Sequence, residues 1–275
     1  MFGFQIGLDN MRRIIGGGTP IDPMAQAFID AYGITDPTYI SYVNAWALGV
    51  KGLLPGVNET YDYTSMLEFL LIIVPQSVAV VRGDLLTATS KPAPVGGWTL
   101  SNDGFKSNGV DAEWDLDVNP SSAFADEKYG FGLYNTLDLT THGATQNYVL
   151  GCYNGGKITA CALNYVESGI SYFSVSDDVV ANIVDTDGLG ARIWVRSTTA
   201  NIRIGKNGST NNVAAGTVGA NPNATTYAGK LAGINFGICR FASIYNPNQA
   251  WTIAEMNVFQ DLDNYCQTIL GRNQY

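Results

Sequence analysis

The chain has 275 residues and a formal net charge of -9, with 46% hydrophobic but only 14% charged residues. That balance supplies a sizeable core and excludes a disordered chain. Beyond Arg12-Arg13 there is no Lys/Arg cluster, so the basic footprint that nucleic-acid binding requires is missing.

Residues 1–18, "MFGFQIGLDNMRRIIGGG", lack the basic region, apolar run and small-residue cleavage site of a secretion signal, so none is expected. Residues 1–20 read either as a frayed terminus or as a peg that inserts into a partner. Phe2, Phe4 and Ile14 would be its apolar contacts, and Gly16, Gly17 and Gly18 its flexible joint. Two helix starts follow. Asp22-Pro23 and Asp36-Pro37 each place an N-cap carboxylate before a proline at the first helical position. They predict a helical hairpin across residues 22–54, with Gly33 closing the first helix. Ala27, Phe28 and Ala31 line one helix, and Ile40, Val43, Ala47 and Val50 the other.

From residue 60 the periodicity changes to that of short strands. "MLEFLLIIV" is too short to span a bilayer and reads as a buried strand. "SVAVVRGDLLTAT" is expected to continue in extended form, with Gly83 at a bulge or turn. Three strands in residues 96–120 are punctuated by Asn102-Asp103-Gly104 and Asn108-Gly109. Hairpin turns are expected at Asn154-Gly155-Gly156 and Asn207-Gly208. Turn signals this frequent point to an antiparallel sandwich. The chain then ends in a helix over 252–270. Thr252 and Glu255 form a capping box, Ile253, Met256, Phe259, Leu262, Cys266 and Ile269 form one apolar face, and Gly271 stops it.

Cys152, Cys161, Cys239 and Cys266 show no C-x-x-C spacing and are expected to be reduced thiols. Cys239 is placed in a strand and Cys266 on a helix face. His142, the single histidine, has no G-x-S-x-G partner motif and reads as a loop residue. "SDDVV" and "DTDGLG" read as Asx turns, since the twelve-residue calcium loop with its terminal Glu is incomplete. No metal and no cofactor is expected.

The strand-to-helix junction "GICRFASIYN…WTIAEMNVFQDLDNYCQTILGR" resembles the end of laminin-G-like, concanavalin A-like domains, in particular the subgroup found in bacteriophage virion and fibre-type proteins. "DPMAQAFIDAYGITDPTYISYVNAWALGVKGL" is similar to the helical hairpin that precedes the sandwich there. "GWTLSNDGFKSNGVDAEWDL" resembles its early strands, and "ARIWVRSTTANIRIGKNGSTNNV" a strand pair joined by an Asn-Gly turn. The likeness runs over about residues 22–273 in the same order. Trp251 departs from the Leu usual before the helix cap.

The resemblance implies a mainly β fold: a concanavalin A-like antiparallel β-sandwich, or jelly roll, over residues 58–275. A helical hairpin over 21–57 precedes it, and the peg of residues 1–20 attaches it. It implies a non-enzymatic virion structural protein, a fibre, spike or capsid-attached protein concerned with host-surface glycan recognition. Its partners would be other virion proteins, with assembly as a homo-oligomer and no membrane span. A purely architectural capsid decoration protein is the alternative within that class. Glu113, Asp115 and Asp117 offer another: alternating carboxylates on one strand face resemble the Glu-x-Asp-x-Glu of laminarinase-type glycoside hydrolases. The bland reading of the same residues is a charged edge strand. Tyr134, Tyr153, Asn154 and Trp194 are the candidate glycan contacts, because aromatic faces stack on sugars and turns carry binding residues.

Removing residues 1–18 is expected to leave a folded, soluble domain that no longer enters particles. Circular dichroism and an incorporation assay check this, and normal incorporation refutes the peg.

Overall fold

The computed structural model describes residues 20–125, 128–140, 147–154, 156–163, 169–177, 181–185, 187–198, 200–214, 221–231 and 235–273. Phe2, Phe4, Ile14, Gly16, Gly17, Gly18 and His142 lie outside these.

Local capping sets the first two helices as their sequence predicts. Asp22 accepts the Met24 N–H at 2.8 Å ahead of α1 (Pro23–Tyr32), which Gly33 closes at φ 60. Asp36 accepts the Thr38 N–H at 2.7 Å ahead of α2 (Pro37–Val50). The buried face of α1 is Ala25, Phe28 and Ile29, while Ala27 and Ala31 are exposed. Turning Ile29 inward removes more apolar area from water than turning in either alanine.

β1 (Leu67–Ile72) follows the hairpin, and the chain beyond it departs from the extended form that its sequence predicts. "SVAVV" does not stay extended; Ser77 caps a short helix, α3 (Val78–Val81), which buries Val80 and Val81. The remaining elements are β2 (Trp98–Ser101), β3 (Gly104–Ser107), β4 (Trp114–Asp115), α4 (Pro120–Ala123), β5 (Gly130–Asn135), β6 (Tyr148–Asn154), β7 (Lys157–Ala162) and β8 (Ile170–Asp177). After them come β9 (Ala181–Val184), β10 (Gly190–Thr198), β11 (Asn201–Lys206), β12 (Ser209–Ala214), β13 (Tyr227–Ala228), β14 (Lys230–Leu231), β15 (Asn235–Phe236), β16 (Arg240–Pro247) and α5 (Ile253–Ile269).

The fold is mainly β, a jelly-roll sandwich of two antiparallel sheets. An eight-stranded sheet runs β12-β11-β10-β5-β16-β3-β2, with β1 also paired to β16. A six-stranded sheet runs β4-β13-β6-β7-β8-β9. Between them lies one core that includes Phe131, Leu133, Leu150, Phe173, Trp194 and Ile244. The second core lies on the other face of the eight-stranded sheet, where Leu70, Ile72, Ile193, Val195 and Tyr245 meet α1, α2 and α5. The molecule is therefore three layers: helices, eight-stranded sheet, six-stranded sheet.

Phe259 of α5 centres the helical layer. Its ring centroid lies 4.6 Å from that of Tyr245, 4.8 Å from Tyr63, 5.1 Å from Trp251 and 6.0 Å from Trp46. α2 approaches α5 closely at Gly49, where a Cβ would fall 2.1 Å from Leu262 Cδ1. The capping box is present, with Thr252 Oγ1 accepting the Glu255 N–H at 3.2 Å. Of the expected apolar face, Met256, Phe259, Leu262 and Cys266 are fully buried, whereas Ile253 in the first turn is 39% exposed. All four cysteines are free and buried. Cys239 stands just ahead of β16 rather than inside a strand.

Asp263, on the sheet side of α5, is fully buried. Its carboxyl accepts from Ser243 Oγ at 2.7 Å and Gln267 Nε2 at 3.0 Å. Burial pushes its pKa up to about 7 despite those two donors.

Phe259→Ala should cost about 3–5 kcal/mol, because the ring is fully enclosed and leaves a cavity. Thr252→Ala should cost only about 1 kcal/mol through the lost cap. Denaturant unfolding of both variants checks the ratio. Asp263 should also give a descending limb of stability with pH. From its ordinary value of 3.8 to about 7, the folded chain keeps a proton that the unfolded chain has released, so stability falls as pH rises through that window and is level above it. Asp263→Asn should flatten that limb when urea midpoints are compared from about pH 4 to about pH 8.

Candidate functional site

The helical core contains no residue of the six-stranded sheet. Among the described residues the outer face of that sheet carries no helical layer. Which side chains line this face follows from strand register, since directly paired residues point to the same side. Asp115 pairs with Tyr227, Tyr227 with Gly151, Gly151 with Ala160, and Ala160 with Ser174. One row therefore crosses five strands. Beside it Tyr148 pairs with Ala162, and Ala162 with Tyr172; on the other side Tyr153 pairs with Ile158. Leu150, Cys161, Phe173 and Val175 alternate with these and point into the sandwich core.

The result is a recessed floor of Gly151, Ala160, Ala162 and Ser174, all buried, flanked by Tyr148, Tyr153, Tyr172 and Tyr227. Tyr153 is 45% exposed and the other three tyrosines are half-buried. The floor must be low at Gly151, where a Cβ would fall 2.6 Å from the Thr159 carbonyl oxygen. Two irregularities aim the face. A register shift between Tyr148 and Leu150 turns both Val149 and Leu150 into the core. A second, opposite Ile158–Ala160, is absorbed by Ser176 at φ 50, a left-handed conformation uncommon for a residue with a Cβ.

The hairpin end of the face is rich in amides and hydroxyls. Asn154 Nδ2 donates to the Asn223 carbonyl at 2.7 Å, and Asn119 Nδ2 donates to Asn223 Oδ1 at 2.8 Å. Ser121 Oγ donates to the same Asn223 oxygen at 3.2 Å. Below them Ser176 Oγ donates to Asn221 Oδ1 at 2.7 Å and lies 2.9 Å from the Tyr129 hydroxyl. Arg196, buried between the sheets, donates from Nε and Nη2 to the Val175 carbonyl at 2.9 and 2.7 Å. The exposed polar loops are thereby tied to the core.

The β4 edge is charged. Lys230 Nζ sits 4.0 Å from the Tyr227 ring centroid and pairs with Glu113. Asp115 Oδ1 accepts the Asp117 N–H at 2.7 Å, and Asp117 adopts φ 53. Glu113, Asp115 and Asp117 do alternate with buried Trp114, Leu116 and Val118. They do not form a strand-borne triad. β4 spans only Trp114–Asp115, Asp117 has left the extended conformation, and Glu113 is held by Lys230.

Of the four sequence-derived glycan contacts, the structure keeps two on this surface. Tyr153 and Asn154 stand exposed at the end of β6. Tyr134 and Trp194 are fully buried, which corrects their assignment. Both belong to strands of the eight-stranded sheet, which is covered on both faces. Tyr134 points to the helices, its hydroxyl donating to Asn264 Oδ1 at 3.1 Å, and Trp194 points into the core. Asp185 of "DTDGLG" is also buried, gripped by Arg192 through Nε at 2.7 Å and Nη2 at 2.6 Å. Burial raises its pKa, but Arg192 and Lys206 overcome that and hold it below the usual carboxylate value. Among the described residues no cluster of three or more His, Cys, Asp or Glu could hold a metal. Sequence reasoning missed Tyr148, Tyr172 and Tyr227. They stand on β6, β8 and β13, and only the pairing of these strands through β7 brings them to one face.

No family model and no curated protein sequence matches the chain. Solved structures do match in fold. Trypanosoma rangeli sialidase superposes with a TM-score of 0.54 at 13% identity, over 85% of this chain and 39% of that one. The receptor binding domain of botulinum neurotoxin D gives 0.54 at 8% identity, over 72% of this chain and 53% of that one. The binding domain of botulinum neurotoxin DC, solved in complex with rat synaptotagmin II, gives 0.53 at 11% identity, over 72% and 52%. The chain thus spans about half or less of each. At these identities the likeness is one of fold, and the fold shared is the β-sandwich.

Proposed function

We propose that this protein is a non-enzymatic recognition module that binds a host-surface glycan on the outer face of its six-stranded sheet. The observation that carries this reading is the outer-face row of tyrosines, with Tyr153 exposed and Tyr148, Tyr172 and Tyr227 half-buried, beside a recessed small-residue floor. Sugar rings present apolar C–H faces that stack on aromatic rings, and hydroxyls that amides and phenols satisfy. The face offers both, with Asn154, Asn119 and Asn223 at its hairpin end. Fold neighbours that include a receptor binding domain and a sialidase support a role at a cell surface, by analogy of fold alone.

The carrier is a bacteriophage particle, in which the chain would be a fibre, spike or capsid-attached protein, and a homo-oligomer. This part of the reading rests on the resemblance of the hairpin, the early strands and the strand-to-helix junction to virion proteins. The helical layer then faces the particle, the residues 1–20 segment attaches to other virion proteins, and the six-stranded sheet faces the host.

Tyr153→Ala and Tyr227→Ala should each weaken glycan affinity about tenfold, the equivalent of about 1.4 kcal/mol, while leaving the unfolding midpoint of Tyr153→Ala unchanged. Glycan arrays followed by calorimetry make the measurement. Host-cell binding that neither substitution alters refutes the face as the recognition surface.

A further inference from the structure

We infer that the glycan held on this face is uncharged, and that Asp115 selects it by accepting hydroxyl hydrogens from a sugar stacked on Tyr227. The inference rests on the binding-face reading above and adds the ligand class and the residue that sets it.

Asp115 and Tyr227 are direct partners across β4 and β13, so their side chains stand side by side on the outer face. The Asp115 carboxylate is already oriented. Its Oδ1 accepts the Asp117 N–H at 2.7 Å, and Asp117 takes up the left-handed φ of 53 that this turn needs. Oδ2 accepts no hydrogen bond from a described residue, and the residue is half-exposed. An ionised carboxylate oxygen beside an aromatic ring suits a sugar hydroxyl, because charge-assisted hydrogen bonds are short and strong.

The same placement works against an anionic sugar. A ligand carboxylate or sulfate on the face of Tyr227 away from Lys230 would meet the like charge of Asp115, and Lys230, whose ammonium lies 4.0 Å from the Tyr227 ring centroid, is already paired with Glu113. Among the described residues the guanidinium fork that holds planar anions is not offered either. Arg192 and Arg196 are buried between the sheets, and Arg272 is buried against the Ile73 carbonyl. Arg203 is bound to the Trp251 carbonyl, Arg240 to Asp103, and Arg82 to the Lys91 carbonyl. The net charge of -9 opposes an acidic polysaccharide at longer range as well.

The test is an array of neutral, sialylated, uronate-containing and sulfated glycans probed with the whole chain, followed by calorimetry on the strongest binder. Asp115→Asn is the selective variant, since its side-chain oxygen can still accept the Asp117 N–H and keep the turn. The expected result is binding to neutral glycans alone, weakened about tenfold by Asp115→Asn, with acidic analogues gaining relative to neutral ones in that variant. Preference of the native protein for acidic glycans, or neutral binding that Asp115→Asn leaves unchanged, overturns the inference. If that binding is still lost in Tyr153→Ala, the recognition face itself stands. A folded protein that binds no glycan on the array, and whose host-cell binding ignores Tyr153→Ala, overturns both.

Discussion

The eight-stranded sheet is apolar on both of its faces, and the rest of the molecule is arranged around that constraint. Its central strands alternate between two cores rather than between core and water. On β10, Trp194 faces the six-stranded sheet while Ile193 and Val195 face the helices; on β16, Ile244 and Tyr245 divide in the same way. A sheet of this kind needs a cover on each side. The six-stranded sheet supplies one cover, and α1, α2 and α5 supply the other. With the helices used there, the far side of the six-stranded sheet has no helical layer among the described residues, and the tyrosines stand on that side.

Polar groups between the sheets set where that face points. β10 carries Arg192 and Arg196 on either side of Trp194, all three directed between the sheets and essentially inaccessible. Arg192 binds Asp185, whose carboxylate also accepts from Ser171 Oγ at 2.9 Å and lies 2.9 Å from Lys206 Nζ. A buried pair of this type gives little net stability, because desolvation consumes most of the attraction. Its geometry is nevertheless demanding. It joins β8 and the end of β9 to β10 and β11, so a slip of either sheet would strand a charge. Arg196 does the same at the other end, through the Val175 carbonyl beside the Ser176 bulge. The bulge, the Tyr129 hydroxyl and Asn221 then carry that alignment outward to the loops bearing Asn119 and Asn223.

The sandwich itself is compatible with many activities, and its likeness to a sialidase and to toxin binding domains at 8–13% identity reflects a shared solution to packing two sheets. What distinguishes this chain is the content of the outer rows: tyrosine beside glycine, alanine and serine, with amides at the hairpin end and a carboxylate on the β4 edge. The three carboxylates that resemble a hydrolase motif illustrate the difference between spacing and geometry. Spacing puts Glu113, Asp115 and Asp117 on one side of the chain, but Lys230 holds Glu113, the Asp117 N–H holds Asp115, and the left-handed turn takes Asp117 out of the strand.

The sequence by itself determined every feature whose cause lies within a few residues. Asp22-Pro23 and Asp36-Pro37 start helices because the cap and the missing donor are local facts, and Thr252 with Glu255 starts α5 for the same reason. Asn-Gly turns mark the hairpins, and the 3.6-residue period of Met256, Phe259, Leu262 and Cys266 marks a buried helix face. The tertiary structure alone decided the rest. Ile29 rather than Ala31 faces inward, and burial of Val80 and Val81 in the core decides for a turn of helix in "SVAVV" over the extension its β-branched run predicts. Tyr134 and Trp194 read like Tyr153 in isolation, but they belong to a sheet covered on both sides. Tyr148, Tyr172 and Tyr227 come together only through strand register and two bulges. Side-chain direction in a sheet reverses with every residue, so a single inserted residue, or a second covering layer, changes which tyrosines meet solvent. No window of sequence contains that information, because it lies in the pairing of strands distant along the chain.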